Sequence, residues 1–195
     1  MQSLYSFIVK PLNDRYDNTR RVADTDLIIN SGIEDHRFIS KKAVVVQTPA
    51  AYTTKINIGD ELYIHHNIFR RWYDQKGKER NSSTHFKDDL YFVSPEQIYM
   101  YNLKTHLDYC FIKPLKNQSV LENRKEQPNV GIVKYSNKSL EALKITPGTL
   151  ITFTPNSEFE FIIEGERLYC MKSNDIALTH EYQGNEEEVQ PNWAR

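Results

Sequence analysis

Two adjacent histidines, His65 and His66, with His85 and the cysteines Cys110 and Cys170, are the residues of this 195-residue chain suited to metal ligation or nucleophilic attack. Adjacent residues of a strand point to opposite faces, so His65 and His66 are not expected to share one metal ion. The two cysteines stand 60 residues apart, with no CxxC spacing. That argues against a structural zinc site or a disulfide scaffold, and for two small core residues in a reducing compartment. No metal and no cofactor are expected. The chain has no G-x-S-x-G, no phosphate-cradling glycine loop and no supported carboxylate pair, so it is read as a non-enzyme. Asn81-Ser82-Ser83 matches the glycosylation pattern, which carries no meaning for an intracellular chain.

The pattern best suited to recognition is different. Phe69, Arg70, Arg71, Trp72 and Tyr73 lead into Lys76, Lys78 and Arg80 within one insertion that runs from His65 to Asp89. Aromatics interleaved with arginines form protein hot spots and nucleic-acid surfaces. Phe69, Arg70, Arg71 and Trp72 are therefore candidate partner-binding residues, against the simpler reading of a solvated hairpin whose aromatics cover the end of a domain. Nucleic acid is disfavoured by the charge balance. Lys and Arg number 25 against 26 Asp and Glu, a formal charge of −1, and a general nucleic-acid binder needs a basic excess.

No run approaches the 18 apolar residues of a membrane span, so no membrane partner is expected. Near the N-terminus, Phe7-Ile8-Val9 is cut off by Lys10 and Pro11, far short of an export signal. The expected location is the cytoplasm.

The elements that would position these residues come in two copies. Phe7-Ile8-Val9-Lys10-Pro11-Leu12-Asn13 is echoed by Phe111-Ile112-Lys113-Pro114-Leu115-Lys116-Asn117. Ile56 to Ile64, with Gly59-Asp60, is echoed by Ile145 to Phe153, with Gly148-Thr149. Leu90 to Ile98 is echoed by Leu168 to Ile176. The order is the same while the offset shrinks, from 103 residues at Pro11 and Pro114 to 89 at Gly59 and Gly148 and 78 at Leu90 and Leu168. A tandem duplication with shortened loops in the second copy follows. Local signals are β. Glu158–Ile163 and Glu166–Met171 flank Glu164-Gly165 as a hairpin, and Ile176, Leu178, His180 and Tyr182 alternate as one face of a strand. Around Ser139–Leu143 a short helix is expected, capped by Asn137 or Ser139. Many short strands in about 90 residues per copy imply an all-β fold with a small barrel or sandwich in each half.

Val9-Lys10-Pro11-Leu12-Asn13-Asp14-Arg15, then Ile58-Gly59-Asp60-Glu61-Leu62, then Leu90–Val93 with a closing strand at Ile98, resembles the GroES-type co-chaperonins. The resemblance implies two tandem small GroES-like β-barrels, residues 1–104 and 105–183, the second pared down, followed by an acidic tail over 184–195. It further implies a homo-oligomeric ring and a loop whose apolar tripeptide docks on a chaperonin ring. The matching tripeptide is Leu27-Ile28-Ile29, isolated within a polar stretch from Asn13 to Lys42. By pattern alone those residues read equally as one more strand. Thr25-Asp26 replaces the family's glycine pair, the roof hairpin is reduced to Gln47–Lys55, and Gln118–Asn129 of the second copy holds no such tripeptide. In the tail, Glu186-Glu187-Glu188 reads as solvated, and Trp193 as an anchor on a neighbouring subunit. The function expected is a co-chaperonin-like partner of a chaperonin ring. The alternative is a structural component of a large assembly, such as a bacteriophage virion, whose partners are neighbouring structural subunits.

Overall fold

The computed structural model describes residues 3–17, 19–22, 25–28, 35–116 and 126–181. Ile29, Tyr182 and the acidic tail lie outside the described residues. The chain divides into two compact units, Met1–Leu103 and Lys104–Arg195. It is all-β apart from one five-residue helix and three 3-10 turns among the described residues.

The first unit contains β1 (Phe7–Pro11), β2 (Thr19–Val22), β3 (Thr25–Ile28), β4 (Lys42–Gln47), β5 (Glu61–Ile64), β6 (Arg71–Tyr73), β7 (Glu79–Asn81), β8 (His85–Lys87), β9 (Leu90–Val93) and β10 (Ile98–Tyr101). With the two-residue β11 (Lys104–Thr105), its main sheet runs β11-β10-β5-β4-β1-β9-β8. The pairs β2-β3 and β6-β7 form separate two-stranded sheets. The second unit contains β12 (Tyr109–Lys116), β13 (Glu126–Tyr135), α1 (Lys138–Ala142), β14 (Leu150–Phe153), β15 (Phe159–Ile163), β16 (Glu166–Lys172) and β17 (Ile176–His180). Its sheet runs β15-β16-β12-β13-β14-β17.

Read from β10 and from β17, the two sheets have the same strand order, and their registers agree. Phe7, Ile8 and Val9 pair with Val93, Phe92 and Tyr91 in the first; Cys110, Phe111 and Ile112 pair with Met171, Cys170 and Tyr169 in the second. Val9 faces Val45, and Ile112 faces Val133, each just past a register shift at the same point of the strand. The paired positions differ by 103 residues on one strand and 78 on the other, which are the offsets of the sequence echoes. The turn into the central strand is also the same. Gly59 and Gly148, at φ +90° and +94°, each donate to the carbonyl of the facing valine at 2.8 Å. A side-chain oxygen three residues on, of Asp60 or Thr149, accepts the N–H of Asn57 or Thr146. Glycine is required because positive φ costs other residues about 1–2 kcal/mol.

The cores repeat as well. Phe7, Val9, Val45, Ile56, Leu62, Ile64 and Val93 in the first unit correspond to Cys110, Ile112, Val133, Ile145, Ile151, Phe153 and Met171 in the second, all buried. Alternation along short strands puts these residues on one face, and burying them supplies most of the driving force of each unit.

The expected barrels are corrected in one respect: neither sheet closes. β8 and β11 end the first and β15 and β17 the second, with no ladder joining the ends among the described residues. Closure needs a full-length strand at the seam, and β8 has three residues and β11 two. The last strand forms where the alternation places it. β17 forms, but its face is not buried, and Leu178 is 58% exposed.

The helix forms where expected. Asn137 caps α1, its Oδ1 accepting the Leu140 N–H at 3.0 Å. The buried Asn137 Nδ2 also donates to the Tyr109 carbonyl at 2.9 Å and to Ser173 Oγ at 2.7 Å. One side chain thus ties the start of β12 and the 3-10 turn before β17 to the helix.

Candidate functional site

The β6-β7 hairpin is built by its acid. Asp74 Oδ1 accepts the N–H groups of Lys76 and Lys78 at 3.0 and 2.9 Å, while Gly77 takes φ +72°. An Asx-type turn of this kind holds the loop without burial. The cations of the hairpin are partly answered from within it: Arg71 Nη1 lies 3.0 Å from Glu79 Oε1, and Arg80 Nε lies 3.0 Å from Asp74 Oδ2. That neutralises two of the arginines a phosphate backbone would need.

The four candidate residues of this insertion divide. Phe69 is corrected from contact residue to core: it is fully buried and meets the Tyr91 ring edge-on at 4.9 Å. The reason is the 3-10 turn over His66–Ile68, which rotates the chain so that Ile68 and Phe69 face inward. Arg70 is exposed. Arg71 is half-buried, its guanidinium 4.6 Å from the centre of the Tyr16 ring. Trp72 and Tyr73 are exposed, and the Trp72 Nε1–H donates to the Asn81 carbonyl at 3.3 Å. Arg70, Trp72 and Tyr73 are thus the exposed residues of this run, and Phe69 is not.

Of the candidate tripeptide, Leu27 and Ile28 lie in β3, paired with Arg20 and Thr19 of β2. Ile29 falls outside the described residues. β2 and β3 make a ladder of their own, inserted between β1 and β4 of the main sheet. In the second unit only residues 117–125 separate β12 from β13.

Sequence reasoning missed the exposed apolar residues. Leu4, Tyr5, Tyr52 and Ile58 are exposed in the first unit. Ala50 and Ala51 donate to the carbonyls of Ser3 and Leu4, and the Tyr52 hydroxyl donates to the Tyr5 carbonyl at 3.2 Å, which gathers the two segments. In the second unit Phe159 and Leu178 are exposed, one on each outer strand. Their apolar type gave no signal, because a strand buried on one face carries the same residues.

His65 and His66 are not opposed across a strand. They follow the end of β5, and their rings stack at 4.4 Å, with His36 5.5 Å from His66. No group of three or more His, Cys, Asp or Glu among the described residues is placed to hold a metal ion. Burial, with His65, His36, Lys41 and Arg70 close by, brings the His66 imidazole down to about 4. Burial and Lys41 lower His65, whose Nδ1 accepts the Asn67 N–H at 3.1 Å. Depressed histidines favour the fold when neutral, so their contribution is complete above about pH 6.5 and is lost as pH falls towards 4. Thermal unfolding is expected to show about 1–2 kcal/mol lost over that range for the half-exposed His66. His66→Gln should flatten the pH profile; an unchanged profile would remove the histidines as its cause.

Burial pushes the Cys110 thiol up to about 12 and raises Cys170 as well, so neither presents a thiolate at neutral pH. Among the described residues no helix is long and apolar enough to cross a membrane. A scan against protein-family models and a search of curated proteins both return no match.

Proposed function

We propose that the chain is a non-enzymatic assembly subunit, co-chaperonin-like in architecture, whose two units are repeats of one GroES-like domain and whose copies associate into a ring or larger homo-oligomer. The observation that carries this reading is the pair of apolar residues on the outer strands of the second sheet, Leu178 on β17 and Phe159 on β15, 58% and 47% exposed. Outer strands with apolar side chains and unpaired backbone groups are sites of strand addition unless they are covered. Shared strand order and register between the units support the repeat, and the order of the sequence motifs supports its GroES-like character. On this reading Leu27, Ile28 and Ile29 dock on the apical groove of a chaperonin ring. The place of Leu27 and Ile28 in the chain, between β1 and β4, is the one the resemblance gives to the docking loop, and it favours this reading.

The test is the native mass of the chain, alone and with a chaperonin ring in ATP. A homo-oligomer that falls to monomer in Leu178→Lys or Phe159→Lys supports assembly through the outer strands; a monomeric wild type overturns it. Capture by the ring, lost in Leu27→Asp with Ile28→Asp, supports docking.

A second reading, a structural component of a large assembly such as a bacteriophage virion, is favoured by a specific observation. Leu27 and Ile28 are held in a strand ladder with β2, and the second unit has only the nine residues 117–125 between β12 and β13 at the matching place. Oligomerisation without chaperonin capture, and the chain's presence in purified particles by mass spectrometry, would select it.

A further inference from the structure

The two sheets end differently at their last strands. β10 and β17 are equivalent, and each pairs with the strand after the glycine turn, β5 or β14. In the first sheet β11 lies outside β10, and Ile98, Tyr99 and Met100 are buried. In the second, no strand lies outside β17 among the described residues. Ala177, Leu178, Thr179 and His180 are all exposed, so both faces of the strand meet solvent as well as its edge.

Charge separates β17 from the other strands that end the two sheets. β8 carries Lys87, β11 carries Lys104, and β15 carries Glu160, whose carboxylate meets Arg167 at 2.8 Å. Such side chains oppose strand addition, because pairing would strip water from a charge or draw it from its ion pair. Ile176-Ala177-Leu178-Thr179-His180 holds no Lys, Arg, Asp or Glu. Its one side chain able to carry charge, His180, is bonded through Nε2 to Thr152 Oγ1 at 2.7 Å. β17 is thus the end strand left without a charged guard, and the backbone groups on its outer side are placed to hydrogen-bond a further strand.

The strand that fits brings no charge to this edge. Of the four end strands only β17 itself meets that condition, so the matching strand is β17 of a second copy. Antiparallel pairing of a strand with its own copy is two-fold symmetric and uses the same residues on both sides. The flanking residues select the register. Centring the pair on Leu178 sets Asp175 of each copy opposite Glu181 of the other, a like-charge contact. Centring it on Ala177 runs the pair into the 3-10 turn at Ser173–Asp175. Centring it on Thr179 avoids both: Thr179 faces Thr179, and Leu178 faces His180.

We infer that β17 pairs antiparallel with β17 of a second copy across a two-fold axis at Thr179, in the place that β11 holds beside β10. The inference rests on the assembly reading above and names its contact. A two-fold contact closes at two copies, so any larger assembly built on it holds an even number of copies.

The experiment combines sedimentation equilibrium of the full chain, over a range of concentrations, with covalent capture of Thr179→Cys under mild oxidation. Cys110 and Cys170 are buried, so capture reports position 179. A dimer or an even-numbered oligomer is expected, with Thr179→Cys captured as a covalent dimer and association at least about tenfold weaker in Leu178→Lys. Leu178 is exposed, and an unchanged circular dichroism spectrum checks that Leu178→Lys keeps the fold. An odd-numbered oligomer, an oligomer without covalent capture, or capture only when Thr179→Cys is mixed with Phe159→Cys overturns the β17 contact and leaves the assembly reading in place. Association equal to wild type in Leu178→Lys does the same. A monomer at every concentration overturns both.

Discussion

Phe69→Ala is expected to destabilise the first unit by about 3–5 kcal/mol, while Trp72→Ala, three residues further on, changes stability by less than about 1 kcal/mol. The two aromatics belong to one run in the sequence, and the fold separates them. Phe69 has no exposed surface and sits with Ile64, Ile68 and Tyr91 in the main core. Its removal deletes an aromatic contact and leaves a cavity that close-packed neighbours fill only in part. The backbone carbonyl of Phe69 still accepts from Arg15, so the loss is one of packing. Trp72 is 41% exposed, and its ring gives up one hydrogen bond, to the Asn81 carbonyl. Denaturant unfolding of the full chain reads both effects. Equal losses for the two variants would put Phe69 back on the surface and reopen the whole Phe69–Trp72 run as a contact site.

The second large effect is at Asn137. Asn137→Ala is expected to destabilise the second unit by about 2–4 kcal/mol, more than the roughly 1 kcal/mol of an ordinary helix cap. Three groups lose a partner at once: the Leu140 N–H, the Tyr109 carbonyl and Ser173 Oγ. Ser173 Oγ keeps its bond to the Asp108 carbonyl at 3.0 Å, so the Leu140 N–H and the Tyr109 carbonyl bear most of the loss. Asn137→Asp separates the roles, since it retains an acceptor for the Leu140 N–H and removes the amide donor to Tyr109. A loss of about 1 kcal/mol in Asn137→Ala, with none in Asn137→Asp, would reduce the residue to a simple cap.

Asn137 also shows where sequence reading stops. A cap is a local event, an acceptor three residues before a free N–H, so its position is visible in the order of residues. The other two bonds of the same side chain run to positions 28 and 36 residues away. The histidines tell a similar story. Strand alternation puts His65 and His66 on opposite faces, but β5 ends at Ile64, and a 3-10 turn follows in which the two rings stack beside His36. The same turn carries Phe69 inward. One turn therefore sets both the stacking of His65 on His66 and the burial of Phe69.

By itself the sequence determined the all-β class, the hairpin at Glu164-Gly165, and an internal echo whose offsets of 103 and 78 reappear as strand registers and whose offset of 89 reappears in the turns at Gly59 and Gly148. These are legible because side-chain alternation and positive φ are properties of a few neighbouring residues, and each copy reports them independently. Only the tertiary structure decided that the sheets stay open among the described residues, that Leu178 is exposed, and that the Tyr169 hydroxyl meets Glu126. Each of those depends on which distant strands meet and what lies between them. The pattern of a strand states that one face is apolar, and the packing of the whole unit settles what covers it.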